Sequence, residues 1–323
     1  MTLTRPHFEL LALLESIHRG NGEMKMTQRA MAKQTGLSVG TINKALTQLD
    51  EEGCTKKSRI TPGGIKALEP YRVKRAVFIA AGFGSRLAPI TLDTPKPLIK
   101  VKGKRIIDTL LDAAAAAEIE ETVIVRGYLG EQFDQLLHKY PGIKFLENPF
   151  YNESNNISSV MCVRGILKNA YVLESDLYLN NPALIAKYQY ASNYLGVPAA
   201  LTDDWCFETR NGCISRLKVG GENCHHMFGI SYWNEKDGGK LAEHIKAVYE
   251  MPGGKDRYWD QVALEHFIKE YNIEVRECDF ADIIEIDTFS DLKKIDPSYQ
   301  HEGVSRETLS PRQRRFAALP NTQ

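Results

Sequence analysis

Apolar residues recur every three or four positions between Phe8 and Ile17, where Leu10, Leu11, Leu13, Leu14 and Ile17 share one side of a helix with a buried stripe. Thr27 then stands as an N-cap ahead of QRAMAKQTG, with Ala30 and Met31 facing inward and Gly36 as the stop signal. Ser38 caps a third helix in which Ile42, Ala45, Leu46 and Leu49 keep the helical spacing. Only the turn TGLS separates these last two helices. The pattern predicts a helix-turn-helix, with residues 39–50 in the recognition position. Thr61-Pro62-Gly63-Gly64 opens one more short helix around Ile65 to Leu68.

The periodicity changes after Lys74. Ala76-Val77-Phe78-Ile79-Ala80 is a continuous apolar run, as expected of a strand buried on both faces, and Val123-Ile124-Val125, Tyr171 to Glu174 and Met227 to Trp233 add further strands. Helical stretches lie between them, among them the alanine run Ala113 to Ala117, expected to pack closely on a sheet. Arg257-Tyr258-Trp259-Asp260 is expected to open a late helix with Val262, Leu264 and Phe267 in its stripe. The chain therefore divides into a small helical domain at 1–70, an α/β body at 71–297 and a polar tail at 298–323, expected to be partly disordered or to lie on a neighbouring surface.

Composition sharpens this picture in three ways. The 323 residues suit two domains, and 43% hydrophobic with 25% charged residues is the balance of a soluble globular protein. No run approaches 18 uncharged apolar residues and the first residues lack a secretory pattern, so no membrane insertion and a cytoplasmic location are expected. The formal charge of zero hides a split, with a net +6 on residues 1–75 and −8 on the stretch up to residue 301. A basic front on an acidic body suits an appended domain that meets a polyanion, but the expected recognition helix offers only Lys44 beside Asn43, Thr47 and Gln48. DNA binding through residues 1–70 is thus the weaker expectation, and a packing, dimerisation or regulatory module the stronger. The six cysteines form no CxxC pair, and His225-His226 has no helical metal spacing beside it, so neither disulfides nor zinc is expected.

The candidate chemistry begins where the first body strand ends. Ala81-Gly82-Phe83-Gly84-Ser85-Arg86-Leu87 places small residues where backbone N–H groups can turn toward phosphates, and Arg86 adds charge. Neither GxGxxG nor GxxxxGK[ST] is present, which removes the dinucleotide-binding and P-loop ATPase classes at the motif level. Further on, Pro95 and Pro97 stiffen the chain on both sides of Lys96, as needed to hold one ammonium over a polyphosphate.

AAGFGSRLAPITLDTPKPLIKVKGKRIID resembles the signature of the sugar-phosphate and choline-phosphate nucleotidyltransferases, although Arg105 stands where a proline is usual. That resemblance spans about residues 73–296 and implies a Rossmann-like α/β sandwich with a mixed central sheet and a small acceptor lid. It implies that Ala81, Gly82, Phe83, Gly84, Ser85 and Arg86 hold the nucleotide phosphates, that Lys96 and Arg86 act in catalysis, and that Gly127 and Tyr128 lie against the base. Tyr151-Asn152-Glu153-Ser154-Asn155-Asn156-Ile157-Ser158-Ser159 is similar to a segment of bacterial phosphocholine cytidylyltransferases, which makes Asn155, Asn156 and Ser159 the expected cytidine and phosphate contacts. Asp176, at the end of an apolar strand, and Asp287, in Glu285-Ile286-Asp287-Thr288, match the family's ligands for a catalytic Mg²⁺; Glu174 ranks below them.

The acceptor half holds all three tryptophans. A quaternary ammonium donates no hydrogen bond and is recognised by ring faces and balancing carboxylates. By similarity, Trp205, Tyr258, Asp260 and Asp204 are the expected acceptor site, with Trp233 and Trp259 in the core. The expected reaction is CMP transfer from CTP to phosphocholine. The alternatives are a 2-aminoethylphosphonate or phosphoethanolamine acceptor, for which Asp203, Asp204, Glu208 and Asp260 speak, and a DNA-binding regulator with a nucleotide-sensing body. Residues 1–70 resemble a winged helix-turn-helix of the multiple-antibiotic-resistance regulator kind. The oligomeric state is left open.

Overall fold

The computed structural model describes residues 2–20 and 26–301, in two compact units. The first comprises the front of the chain through Arg72 together with Tyr188–Tyr190. Its helices are α1 (Arg5–Arg19), α2 (Gln28–Thr35), α3 (Val39–Glu51) and, after a hairpin of β1 (Thr55–Lys56) and β2 (Arg59–Ile60), α4 (Pro62–Leu68). The caps form where the sequence places them. Thr27 accepts from Ala30 N at 3.2 Å, Ser38 from Thr41 N at 3.0 Å, and Gly36 closes α2 at φ 68°. Leu10, Leu11, Met31, Ile42 and Leu49 are wholly buried, each large side chain contributing about 1.5–3 kcal/mol. Tyr188 joins this core from far along the chain, and the Tyr190 ring stacks on Tyr71 at 5.6 Å.

The second unit is an α/β body with a mixed seven-stranded sheet. Its elements are β3 (Arg75–Ala80), the short pair β4 (Lys100–Val101) and β5 (Lys104–Arg105), α5 (Ile106–Ala116), β6 (Glu121–Arg126), β7 (Ile143–Glu147), α6 (Ile157–Val163), β8 (Ala170–Glu174), β9 (Leu177–Leu179), β10 (Asn193–Arg210), β11 (Cys213–Trp233), α7 (Glu235–Glu250), β12 (Glu274–Glu277), β13 (Ile283–Glu285) and α8 (Phe289–Ile295). β3 lies parallel between β6 and β8, β7 extends one side, and β11 pairs antiparallel with β8 on the other. Alternation along the strands feeds two cores. Phe78, Tyr171 and Leu173 meet α5, while Val77, Val123 and Val172 meet α6 and α7.

This topology positions the site. From β3 the sheet runs to β6 on one side and to β8 on the other, so the loop after β3 sits at the switch point, where open α/β sheets bind ligands. β10 and β11 form a long hairpin that turns at Asn211 and Gly212, both with positive φ, as a tight two-residue hairpin loop requires.

One expectation changes. The segment after Asp260 forms a π turn at Val262–His266 instead of a regular helix, and Val262, Ala263 and Leu264 are buried consecutively, so the segment has no one-sided stripe. Of the tail, residues 302–323 lie outside the described residues; Pro297–His301 forms a short 3-10 turn whose Tyr299 hydroxyl donates to Lys100 O at 2.7 Å. All six cysteines are free thiols, and no helix among the described residues is long and apolar enough to cross a membrane.

Candidate active site

The glycine loop owes its shape to two contacts. Thr91 Oγ1 donates to Gly84 O at 2.9 Å, and Gly84 takes φ 61° with its Cα so near Lys96 that a Cβ would stand 2.9 Å from the lysine's own Cβ. A side chain there would push the loop off Lys96. At Gly82 a Cβ would meet nothing within 4 Å, so its backbone faces open space of the kind a phosphate fills.

Lys96 is buried and its ammonium donates to Asp176 Oδ2 at 2.9 Å and to Asp287 Oδ1 at 3.2 Å; Arg86 Nη2 reaches the same Asp287 oxygen at 2.7 Å. Three segments, with Lys96 80 residues from Asp176 and 191 from Asp287, thus meet at one point. Burial alone would lower the lysine and raise the aspartate, but attraction outweighs it: Lys96 is held above the usual lysine value and Asp176 below the usual carboxylate value. Lys96 therefore stays charged at neutral pH.

Around this point lies a cavity of about 270 Å³. Gly82, Phe83, Gly84, Ser85 and Arg86 line one end, with Lys96, Asp176 and Asp287 beside them. Asp204, Trp205, Tyr258 and Asp260 line the remainder of the wall together with Asn156. The Trp205 and Tyr258 rings meet edge to face at 5.5 Å and 65°. Asp260 is buried, accepts from the Tyr194 hydroxyl at 2.9 Å, and is pushed up to about 7 by burial. Trp233 and Trp259 are core residues.

Not every expected residue reaches this cavity. Ala81, Asn155 and Ser159 line a second cavity of about 260 Å³ that shares Gly82, Phe83 and Asn156 with the first. Ser159 is buried and accepts from Asn148 Nδ2 at 3.1 Å, while Asn155 donates to Asp256 O at 3.2 Å. Gly127 and Tyr128 line neither cavity. Gly127 lies against the Tyr151 ring with no room for a Cβ, and Tyr128 packs on Phe83 at 5.1 Å while its hydroxyl donates to Thr91 O and Leu92 O.

The comparisons with known proteins agree with this geometry. Residues 75–196 match the family model described as nucleotidyl transferase. The 2-aminoethylphosphonate cytidylyltransferase of Lancefieldella rimae is 34% identical over 69% of this chain and 92% of its own length. The chain belongs to the nucleotidyltransferase family and is a cytidylyltransferase. The choline-phosphate cytidylyltransferase of Haemophilus influenzae is 30% identical over 69% of this cytidylyltransferase and 98% of the relative. A solved structure of the CTP:phosphocholine cytidylyltransferase from Streptococcus pneumoniae matches with a TM-score of 0.65 at 31% identity, covering 70% of this chain and 99% of that one. Residues 10–75 match a model described as Firmicute plasmid replication protein (RepL).

Nucleotidyltransferases typically use a divalent metal, and the carboxylates of this cytidylyltransferase fit one. Asp176 Oδ1 is buried with no hydrogen-bond partner, as expected of a cation-binding oxygen, and Asp287, two residues after β13, meets the same lysine.

Glu174, ranked below Asp176 from the sequence, and Glu285, given no role there, both line this cavity. Burial, together with neighbouring carboxylates, raises Glu174 well above the usual range and Glu285 to about 8. The signal was available. Each lies two residues before Asp176 or Asp287 at a strand end, the spacing that returns a side chain to the same face.

Proposed function

We propose that this cytidylyltransferase transfers CMP from CTP to phosphocholine, giving CDP-choline and pyrophosphate. The observation that carries the choice of acceptor is the Trp205 and Tyr258 corner, which shares its cavity with the buried Asp260 carboxyl. A quaternary ammonium gains about 0.5–2 kcal/mol over such a ring face and cannot recover it from a hydrogen bond.

In this reading a phosphate oxygen of phosphocholine attacks the α-phosphorus of CTP in line. The bond from that phosphorus to the oxygen bridging to the β-phosphate breaks, and pyrophosphate leaves with the electron pair. The attacking oxygen is already anionic, so no side chain has to remove a proton, and catalysis reduces to orientation and charge. Gly82, Gly84, Ser85 and Arg86 bind the β and γ phosphates, while Lys96 reaches the α-phosphate, where negative charge builds. Asp176 and Asp287 would hold Mg²⁺, which supplies further positive charge at the reacting phosphates. Asn155, Asn156 and Ser159 serve the cytidine side, and Trp205, Tyr258 and Asp260 hold the choline head, with Asp204 at the rim.

A second reading, transfer to 2-aminoethylphosphonate, is favoured by the 34% identical relative and by the carboxyls of the acceptor end, which suit a primary ammonium with three N–H donors. Pyrophosphate release from CTP, ATP, UTP and GTP, each with phosphocholine, phosphoethanolamine and 2-aminoethylphosphonate, tests both. CTP with phosphocholine should be the fastest pair.

For the front unit we propose a winged helix-turn-helix used for packing or regulation in preference to reading DNA. The outer face of α3 offers Lys44 as its one cation and runs into exposed Asp50, Glu51 and Glu52, which repel phosphates. Titration against random duplexes should give no measurable binding at about 150 mM salt; tight binding that falls steeply with salt would reverse the assignment.

A further inference from the structure

We propose that Asp204, His226 and Glu285 form a second cation site, for a divalent transition-metal ion of the Zn²⁺ or Co²⁺ kind, separate from the Asp176 and Asp287 pair. One ligand atom from each of the three lies within 4.8 Å of the others. An imidazole nitrogen with two carboxylate oxygens suits borderline ions, whereas Mg²⁺ takes oxygen ligands. A tetrahedral ion with bonds of about 2.0–2.2 Å needs ligand atoms about 3.4 Å apart, so side-chain rotation has at most about 1.4 Å to close.

The chain builds this triangle from three features. Thr202 pairs with Gly221 and Trp205 with Val219, so Asp203 and Asp204 together face Gly220, a bulge of the kind that re-aims a side chain. It brings Asp204 onto the cavity wall, where Trp205 N donates to Asp204 Oδ1 at 2.7 Å and sets the carboxylate's rotation. The Thr202 hydroxyl accepts from Asp204 N at 3.2 Å and bonds His226 Nδ1 at 3.1 Å, so one group orients two ligands. A ligating histidine is commonly held through its other ring nitrogen in this way, which makes Nε2 the ligand atom. Phe228 and Phe280 pack on the imidazole, each at 5.2 Å. Glu285 completes the set from β13, and its carboxylate takes part in no hydrogen bond or ion pair among the described residues. His225, expected to diverge from its neighbour, does so and meets Glu277 at 3.1 Å. An ion held here would tie the hairpin that carries Trp205 to the strand that leads into Asp287.

Titration of Co²⁺ into the full chain, in Mg²⁺ buffer without nucleotide or acceptor, tests the site through the visible ligand-field absorption of cobalt. One equivalent should bind, His226→Gln should weaken it by about 100-fold or more, and Asp287→Asn should leave it in place. Near-ultraviolet circular dichroism checks that His226→Gln is folded. No cobalt spectrum up to about 1 mM, equal binding by His226→Gln, or loss in Asp287→Asn alone would each overturn the proposal. The test uses no substrate, so its failure leaves the choice of acceptor untouched.

Discussion

At the glycine-loop end of the cavity, carboxylates and cations are matched: Asp176 has Lys96 at 2.9 Å, and Asp287 has Lys96 at 3.2 Å and Arg86 at 2.7 Å. Asp260, which shares the Trp205 side of the cavity, forms no ion pair with a lysine or arginine among the described residues, and neither do Glu174 and Glu285 beside Asp176 and Asp287; burial raises all three. One cavity thereby sorts two ligands. A lysine fixed between aspartates is ready for phosphates, while buried carboxyls beside a ring face are costly until a cationic head arrives.

The strongest break in this contrast is at the matched end. Asp176→Ala or Asp287→Ala should keep the fold and lower kcat by at least about 100-fold at saturating Mg²⁺, because a lost ligand removes several kcal/mol of transition-state stabilisation. Near-normal turnover of Asp287→Ala would show that Asp287 only anchors Lys96 and Arg86. Next in size is Lys96→Ala, expected to lower kcat by about 10- to 100-fold while KM for CTP changes by less than about 3-fold. An effect confined to KM would assign Lys96 to the triphosphate tail.

How far these ends were legible differs for a physical reason. The glycine loop, Lys96 and the strand-end aspartates are local patterns, and each declares its chemistry within a few residues. The partnership of Lys96 with both aspartates depends on the sheet order, which no local pattern contains. The acceptor end is harder still. Trp205 and Tyr258 lie far apart in the sequence and meet only when the fold brings their rings to one cavity. Asp204 meets His226 only through the bulge at Asp203 and Asp204, a register change that hydrophobic alternation does not announce. Likewise Tyr188 and Tyr190 lie in the middle of the body's sequence, yet they complete the front unit's core, so a boundary at residue 70 leaves out Tyr71, Arg72 and Tyr188–Tyr190 of that unit.

A smaller effect sharpens the acceptor end through pH. With Asp260 raised to about 7, its carboxyl is neutral below that pH and anionic above it, and a cationic acceptor binds the anionic form better. The acceptor kcat/KM should therefore climb a few-fold between about pH 6 and pH 8, and Asp260→Asn should flatten the climb. The acceptor phosphate titrates in the same range for both proteins, so only the difference between their profiles belongs to Asp260. Identical profiles would remove Asp260 from acceptor binding.

The most direct measurement compares kcat/KM for phosphocholine and 2-aminoethylphosphonate in the wild type and in Trp205→Ala. The account predicts that the wild type prefers phosphocholine and that the substitution raises KM for phosphocholine by about 2- to 30-fold, with CTP binding nearly unchanged, as loss of a cation–π contact of about 0.5–2 kcal/mol requires. A wild type that prefers the aminophosphonate, with that preference intact in Trp205→Ala, would contradict the choice of phosphocholine and the role of the aromatic corner together.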